Sequence, residues 1–381
     1  MRKIFVFTFG LVLIALSSAV AAPNINGASG VFADGQKIII NGYGFGVNGP
    51  HNILYDSFSG GTTGQKIPID GSEVGGWSGV SSVLAPTYAD TAHSGRHSMQ
   101  IKYEGETQQF FKNFSQDTRE VFMSFWVRVP DGTPFPSGDV ETFASKSAWK
   151  FTWLMDGDST IENDLTVPSY TGLNSFQITG NDWATDSGSG TQSGAYIGSS
   201  WWSWNRWMRL SFWLKANESD PTNPGTIYAQ TLTEGLGLAE IFRTDKYVFD
   251  SDVSNIKRWT QIRFPGWVAA GGNSARPVYD DIYVAAGPFA AARVEVGNNS
   301  NYKDCTNLSI LTPERWDDNQ IDVVFRQGSF AGGQKGYLFV FDKNGLVNAT
   351  GFPITIGSSA VGEPITPGLE PAQNLRDVPV Q

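Results

Sequence analysis

Over residues 121–129 the chain alternates without a break: Val121, Met123, Phe125, Val127 and Val129 fall on one side, and Phe122, Ser124, Trp126 and Arg128 on the other. A period of two marks extended backbone, whose successive side chains point to opposite faces, and it excludes a helix over the same residues. Residues 207–215 repeat the pattern, with Met208, Leu210, Phe212 and Leu214 opposed to Trp207, Arg209, Ser211, Trp213 and Lys215. Shorter runs at 98–103, 150–155, 175–179, 226–232, 260–264 and 281–285 read the same way, with turn residues between them. No amphipathic helix of three turns interrupts them. Residue usage agrees, since 43 Gly, 25 Phe, 13 Trp and 12 Tyr against 17% charged residues suit strands joined by Gly-rich turns. The expectation is an all-β chain, and the long irregular connections favour a sandwich over a small barrel.

The first residues have another purpose. Arg2 and Lys3 precede an apolar run over 4–16 and small residues ending in Ala19-Val20-Ala21. This is the pattern of a secretory signal peptide cleaved after Ala21, because the run is shorter than the roughly 20 residues a membrane span needs. A secreted protein, extracellular or periplasmic, is expected, with no membrane association after cleavage. Loss of Arg2 and Lys3 leaves 25 Lys+Arg against 37 Asp+Glu, a net charge of −12, which argues against a nucleic-acid partner. Cys305 is the sole cysteine, so the exported chain has no internal disulfide and depends on its core.

The two ends of the mature chain differ from its middle. Residues 37–46, Lys-Ile-Ile-Ile-Asn-Gly-Tyr-Gly-Phe-Gly, resemble the opening of an IPT/TIG immunoglobulin-like domain, in which the second strand runs into a Gly-x-Gly-Phe-Gly turn. Stretches resembling the remaining strands come much later, at 293–297, 316–325, 336–342 and 351–356. The resemblance implies one smaller immunoglobulin-like β-sandwich split into 22–51 and 287–357, with 52–286 inserted between, as surface connections permit. Two serial domains with an N-terminal strand extension is the plainer alternative. The middle opens with Leu54-Tyr55-Asp56-Ser57-Phe58, passes through His93-Ser94-Gly95-Arg96-His97 and closes with Tyr279-Asp280-Asp281-Ile282-Tyr283. That order is similar to concanavalin A-like jelly rolls of lectins, glucanases and polysaccharide lyases, which implies a jelly-roll β-sandwich without fixing a chemistry. Residues 358–381, with Pro364, Pro367, Pro371 and Pro379, read as a flexible tail.

A jelly roll commonly offers one sheet face as a groove. The amphipathic strand sides would line it with Trp126, Arg128, Lys150, Gln177, Arg209, Trp213, Lys215, Tyr228 and Gln230, and Trp204 in the tract 201–207 would form an aromatic rim. Aromatic faces stack on sugar rings, and guanidinium groups pair with carboxylates or sulfates, so the expected partner is an anionic polysaccharide. The competing reading makes these residues an ordinary solvent face in which long cations cover the aromatics. A glycosidase acid pair is poorly supported, since Asp139 with Glu141 and Glu162 with Asp164 read as solvated loop acids.

A lyase would need a cation to neutralise the uronate carboxylate and a proton-transfer group, and Arg209 and Tyr228 are the candidates. His93 and His97 have no zinc spacing, and no cofactor is required. Asp56, Asp280 and Asp281 would hold a structural calcium if the terminal strands of the jelly roll pair, with edge protection by charge as the alternative. Three functions remain open: binding of an anionic polysaccharide, β-elimination of a uronate polymer, and a structural role at a cell surface or in an appendage.

Overall fold

The computed structural model describes residues 22–80, 85–101, 108–129, 149–156, 164–172, 175–180, 193–198, 205–215, 225–247, 259–268 and 277–361. The leader, Trp204, Asp139, Glu141, Glu162 and the tail beyond residue 361 lie outside them. Apart from a 3-10 turn at Tyr302–Asp304, the described elements are β-strands in antiparallel sheets.

Strands from both ends of the chain share one sheet. Asn24–Val31 pairs with Lys37–Tyr43, which pairs with Gln320–Val324, and the order continues through Leu308–Trp316, Arg293–Gly297 and Lys335–Phe341 to Phe352–Thr355. The sheet closes over its own core of Phe32, Ile38, Ile40, Phe45, Val294, Val296, Val323 and Val340. Within the strand Lys37–Tyr43 position 42 requires glycine, because a Cβ there would sit 1.9 Å from the Asn24 carbonyl oxygen. Ser359–Val361 add a further strand beside Asn24–Val31, so the segment read as flexible from residue 358 begins within the sheet.

Residues 52–286 build two other sheets. An inner sheet runs Gly237–Tyr247, Gly225–Thr233, Trp207–Lys215, Glu120–Arg128, Val278–Ala286, Ser98–Gln100, Thr87–Ala89, with Asn52–Asp56 also on Val278–Ala286. An outer sheet runs Ser193–Gly198, Ser175–Gly180, Asp164–Gly172, Trp153–Asp156, Trp259–Phe264, Phe110–Thr118, Gly79–Val80. The alternating apolar residues meet between these sheets: Met123, Phe125, Val127, Leu210 and Phe212 pack against Phe110, Leu154, Ile262 and Phe264.

The other side of the inner sheet is also buried. Trp126, Tyr228 and Leu232 pack against Tyr302, Leu308, Phe339, Phe341 and Val347 of the terminal sandwich. Tyr55, Phe122 and Tyr283 meet Ala290 and Ile310 from the same body. A charged group crosses this apolar contact. Arg209 donates from Nη1 to Glu295 Oε2 at 2.6 Å, and Arg293 donates from Nε to Glu295 Oε1 at 2.6 Å. The Tyr302 hydroxyl donates to Glu295 Oε2 at 3.1 Å, while the Arg293 guanidinium lies 3.5 Å from the ring centre of Phe341 and 4.5 Å from that of Phe122. Burial pushes the Glu295 carboxyl up, but the two guanidinium groups win and hold it below the usual carboxylate range.

Removing one member of a buried ion group leaves its partners charged, dry and uncompensated. Glu295→Gln is therefore expected to lower the unfolding free energy by about 3–5 kcal/mol. Urea denaturation checks this, and a loss under about 1 kcal/mol, the range of exposed pairs, would show that the charge does not secure the contact.

Candidate functional site

The face expected to form an open groove is the face that the terminal sandwich covers. Arg209 is 2% exposed, Trp126 4%, Gln230 4% and Tyr228 5%. Arg209 also donates from Nε to Ser124 Oγ at 2.8 Å. Gln230 donates to the Tyr228 hydroxyl at 3.1 Å, and burial drives that hydroxyl far above its ordinary pKa. The assignment of Arg209 and Tyr228 as catalytic is corrected accordingly, since neither can meet a polymer.

Trp126 stacks on the His93 ring at 3.6 Å between centres, so it too is withdrawn from the groove, as is Gln230. Trp213 is half-buried and donates to Glu120 at 3.1 Å, and Lys215 extends partly into solvent, 3.6 Å from the same carboxylate. Arg128 stays half-exposed at the margin and donates from Nε to the Asn205 carbonyl at 3.1 Å.

Asp56, Asp280 and Asp281 do come close together, but their oxygens are spent on protein donors. Asp56 accepts from the Phe58 amide at 2.9 Å and the Trp77 indole at 2.7 Å. Asp280 Oδ2 accepts from the amides of His93 and Ser94 at 2.7 and 3.0 Å, and its Oδ1 from the Asp281 amide at 2.9 Å. Asp281 Oδ1 accepts from the hydroxyls of Ser94 and Tyr55 at 2.8 and 3.1 Å, and its Oδ2 lies 3.2 Å from His93 Nδ1. Calcium needs six to eight oxygens turned toward one point, and a set this occupied by N–H and O–H groups does not fit it. Among the described residues no three His, Cys, Asp or Glu side chains form a cation cage. The expected calcium site is thus corrected to a clamp that fastens loop 90–94 to the end of the inner sheet.

Lys150 and Gln177 fall elsewhere, on the outer sheet, and the strand register brings them into line. Lys150 stands opposite Ser169 and Trp267, Ser169 opposite Gln177, and Gln177 opposite Tyr196. Directly opposed residues of antiparallel strands share a face, so Trp267, Lys150, Ser169, Gln177 and Tyr196 form one cross-strand row. By register the row shares a face with Trp153 and Arg263. Leu154 and Ile262 are opposed and fully buried in the core, so Trp153 and Arg263, the neighbouring pair, belong to the other face.

Trp153 is opposite Thr166 and Thr166 opposite Thr179, which shares its face with Gln177 two residues earlier. Thr166 and Ser169 keep to one face although three residues apart, because a register shift intervenes at Val167-Pro168. Proline donates no ladder hydrogen bond, and an irregularity of this kind is where a sheet accommodates it. Beside the row, Arg263 donates from Nε to Gln261 Oε1 at 2.6 Å, and Gln261 donates to Asn113 Oδ1 at 2.7 Å. Tyr196, Trp267 and Arg263 escaped the sequence reading. Residues 193–198 are too Gly-rich to alternate visibly, and the register that aligns them is set by distant strands.

No protein-family model matches the chain, and no curated protein matches its sequence. Among solved structures, the chain is similar to a marine PL-14 alginate lyase from Aplysia kurodai, with 10% identity, a TM-score of 0.41 and coverage of 59% of this chain and 100% of that one. It is similar to alginate lyase Aly36B at 11% identity and a TM-score of 0.38, over 62% and 97% of the two chains. It is also similar to the binding domain of botulinum neurotoxin serotype D at 8% identity and a TM-score of 0.35, over 82% and 81%.

The aspartate clamp carries a pH signature. Burial, against the hydrogen bonds from Trp77 and Phe58, raises the Asp56 carboxyl to about 7. Asp280 is raised in the same direction by burial and by the adjacent Asp281. A carboxyl whose folded pKa exceeds its unfolded value binds more protons when folded, so its contribution to stability is present at low pH and is lost as pH rises from about 4 to about 7. Asp56→Asn is expected to flatten that part of the profile, measured as urea midpoints across the window; an unchanged slope would contradict the assignment.

Proposed function

We propose that this protein, once exported, binds an anionic polysaccharide along the outward face of its outer sheet. The observation that carries the reading is the row Trp267, Lys150, Ser169, Gln177, Tyr196, with Arg263 beside it. Strands lie ~4.8 Å apart, so five successive positions span about 19 Å, which suits an extended chain better than a compact ligand. Its residue types suit a uronate polymer: a cation for carboxylates, an amide for hydroxyls and aromatic rings for the apolar faces of sugars. The terminal sandwich covers the inner sheet, so the outer sheet is where we place the polymer.

β-Elimination is a second reading, favoured by Tyr196 standing directly opposite Gln177 and three strands from Lys150. Lys150 and Gln177 would stabilise negative charge building on the uronate carboxylate as a base removes the proton α to it. Departure of the β-oxygen, taking up a proton, would leave an unsaturated sugar, with Tyr196 as the proton-transfer group.

One experiment separates these readings. Alginate, pectate and sulfated glycosaminoglycans are immobilised for retention, and in parallel incubated with the protein while ultraviolet absorbance of an unsaturated product is followed. Retention without absorbance supports binding alone, and Lys150→Ala is then expected to weaken it by about tenfold, the effect of losing one charge-assisted contact. Absorbance that disappears in Tyr196→Phe supports elimination. Neither retention nor product on any polymer overturns both readings and leaves the structural role.

A further inference from the structure

We propose that the protein carries a second carbohydrate site, independent of the outer face: a pocket at the uncovered margin of the inner sheet that accepts one neutral, hexose-sized polyhydroxy unit. Its floor follows from register. Arg128 stands opposite Trp207 on one side and Val278 on the other, Val278 opposite Gln100, and Gln100 opposite Thr87. These positions share the face of Trp126, two residues before Arg128, but extend past the edge of the terminal sandwich, whose contacts end near Trp126 and Trp207. A cavity of about 160 Å³ remains there, with Thr63, Thr87, Asp90, Thr91, Gln100 and Arg128 among its walls.

Size and chemistry narrow the occupant. At ~30 Å³ per water the cavity has room for about five waters, the scale of one sugar ring and not of a polymer segment. Three threonines and a glutamine among the lining residues carry groups able to donate and to accept, which matches vicinal hydroxyl groups. Its charged members are one cation, Arg128, and one anion, Asp90, so no net charge selects an acid. Val278 and Ala89 add apolar surface on which the C–H face of a ring can rest.

The walls are fixed before any ligand arrives. Loop 90–94 hangs from the Asp280 carboxylate by the amides of His93 and Ser94 at 2.7 and 3.0 Å, and the Ser98 hydroxyl donates to the Thr91 carbonyl. On the opposite wall the Gly64 amide donates to the Tyr88 carbonyl at 2.8 Å. Arg128 is steadied by Asn205, to which it donates from both Nε and Nη2. A small ligand gains few contacts, so a pocket that need not be ordered on binding is the kind that retains one.

The test is amide NMR of isotope-labelled protein titrated with the methyl glycosides of glucose, galactose and mannose, and with methyl glucuronide as the charged arm. At least one neutral glycoside is expected to shift the amides of Thr63, Thr87 and Gln100, with a Kd in the millimolar range. Gln100→Ala and Thr87→Val are each expected to weaken it about three- to tenfold, the loss of one hydrogen bond, with the rest of the spectrum unchanged. Thr91→Val replaces either variant should it fail to fold. Lys150→Ala, on the outer face, is expected to leave this binding intact. Absence of shifts with every neutral glycoside, a response to the glucuronide alone, or equal affinity in the folded variants would overturn the proposal.

Discussion

Glu295 sits between Arg209 of the inner sheet and Arg293 of its own strand, and much of the molecule depends on that placement. Its carboxylate is 1% exposed and accepts from both guanidinium groups at 2.6 Å. Phe122, Phe341, Tyr302 and Tyr228 surround it with apolar surface. Charges so dry are costly unless each is matched, and a displaced register would leave one unmatched. The apolar contacts supply attraction without direction, and the ion group supplies direction. The terminal sandwich is thereby held in one orientation over the inner sheet.

This contact also explains what could be read from the sequence and what could not. Alternation at 121–129 and 207–215 correctly separated two faces, and Met123, Phe125, Leu210 and Phe212 are the core residues it implies. The error lay in taking the second face as solvated. Trp126, Phe122, Tyr228 and Tyr283 on that face carried a warning, because large aromatics recurring on the amphipathic sides of several neighbouring strands suit a second buried layer. Arg209 pointed the other way, and nothing local reveals that its partner is Glu295, 86 residues along the chain.

Register explains the rest. Lys150 and Gln177 were legible as residue types suited to an acidic sugar, but their alignment depends on the register shift at Val167-Pro168. Without it Thr166 and Ser169 would fall on opposite faces of the strand, since a slip of one residue exchanges the faces. The proline marked that place, but its consequence becomes visible only when Thr166 and Ser169 are matched to Thr179 and Gln177. The aspartates behaved similarly. Their convergence was foreseeable from pairing of Asn52–Asp56 with Val278–Ala286, whereas the amides of His93 and Ser94 that occupy Asp280 come from a loop far from both in sequence.

Clamp and pocket form one physical unit. Asp281 adopts a left-handed backbone, φ 46°, next to the register shift in its strand, a conformation that aspartate tolerates better than most residues. That bend accompanies the Asp280 hold on loop 90–94, and the loop's Asp90 and Thr91 are walls of the cavity. Through these bonds the walls contributed by loop 90–94 are tied to the inner sheet that carries Gln100 and Arg128. The outer-face row rests on strand pairing. Its positions are fixed by the ladder of a sheet, which holds a repeating surface well and an enclosed pocket poorly. The two surfaces thus differ in kind, one a line of positions across strands and the other a cavity between a sheet and a loop.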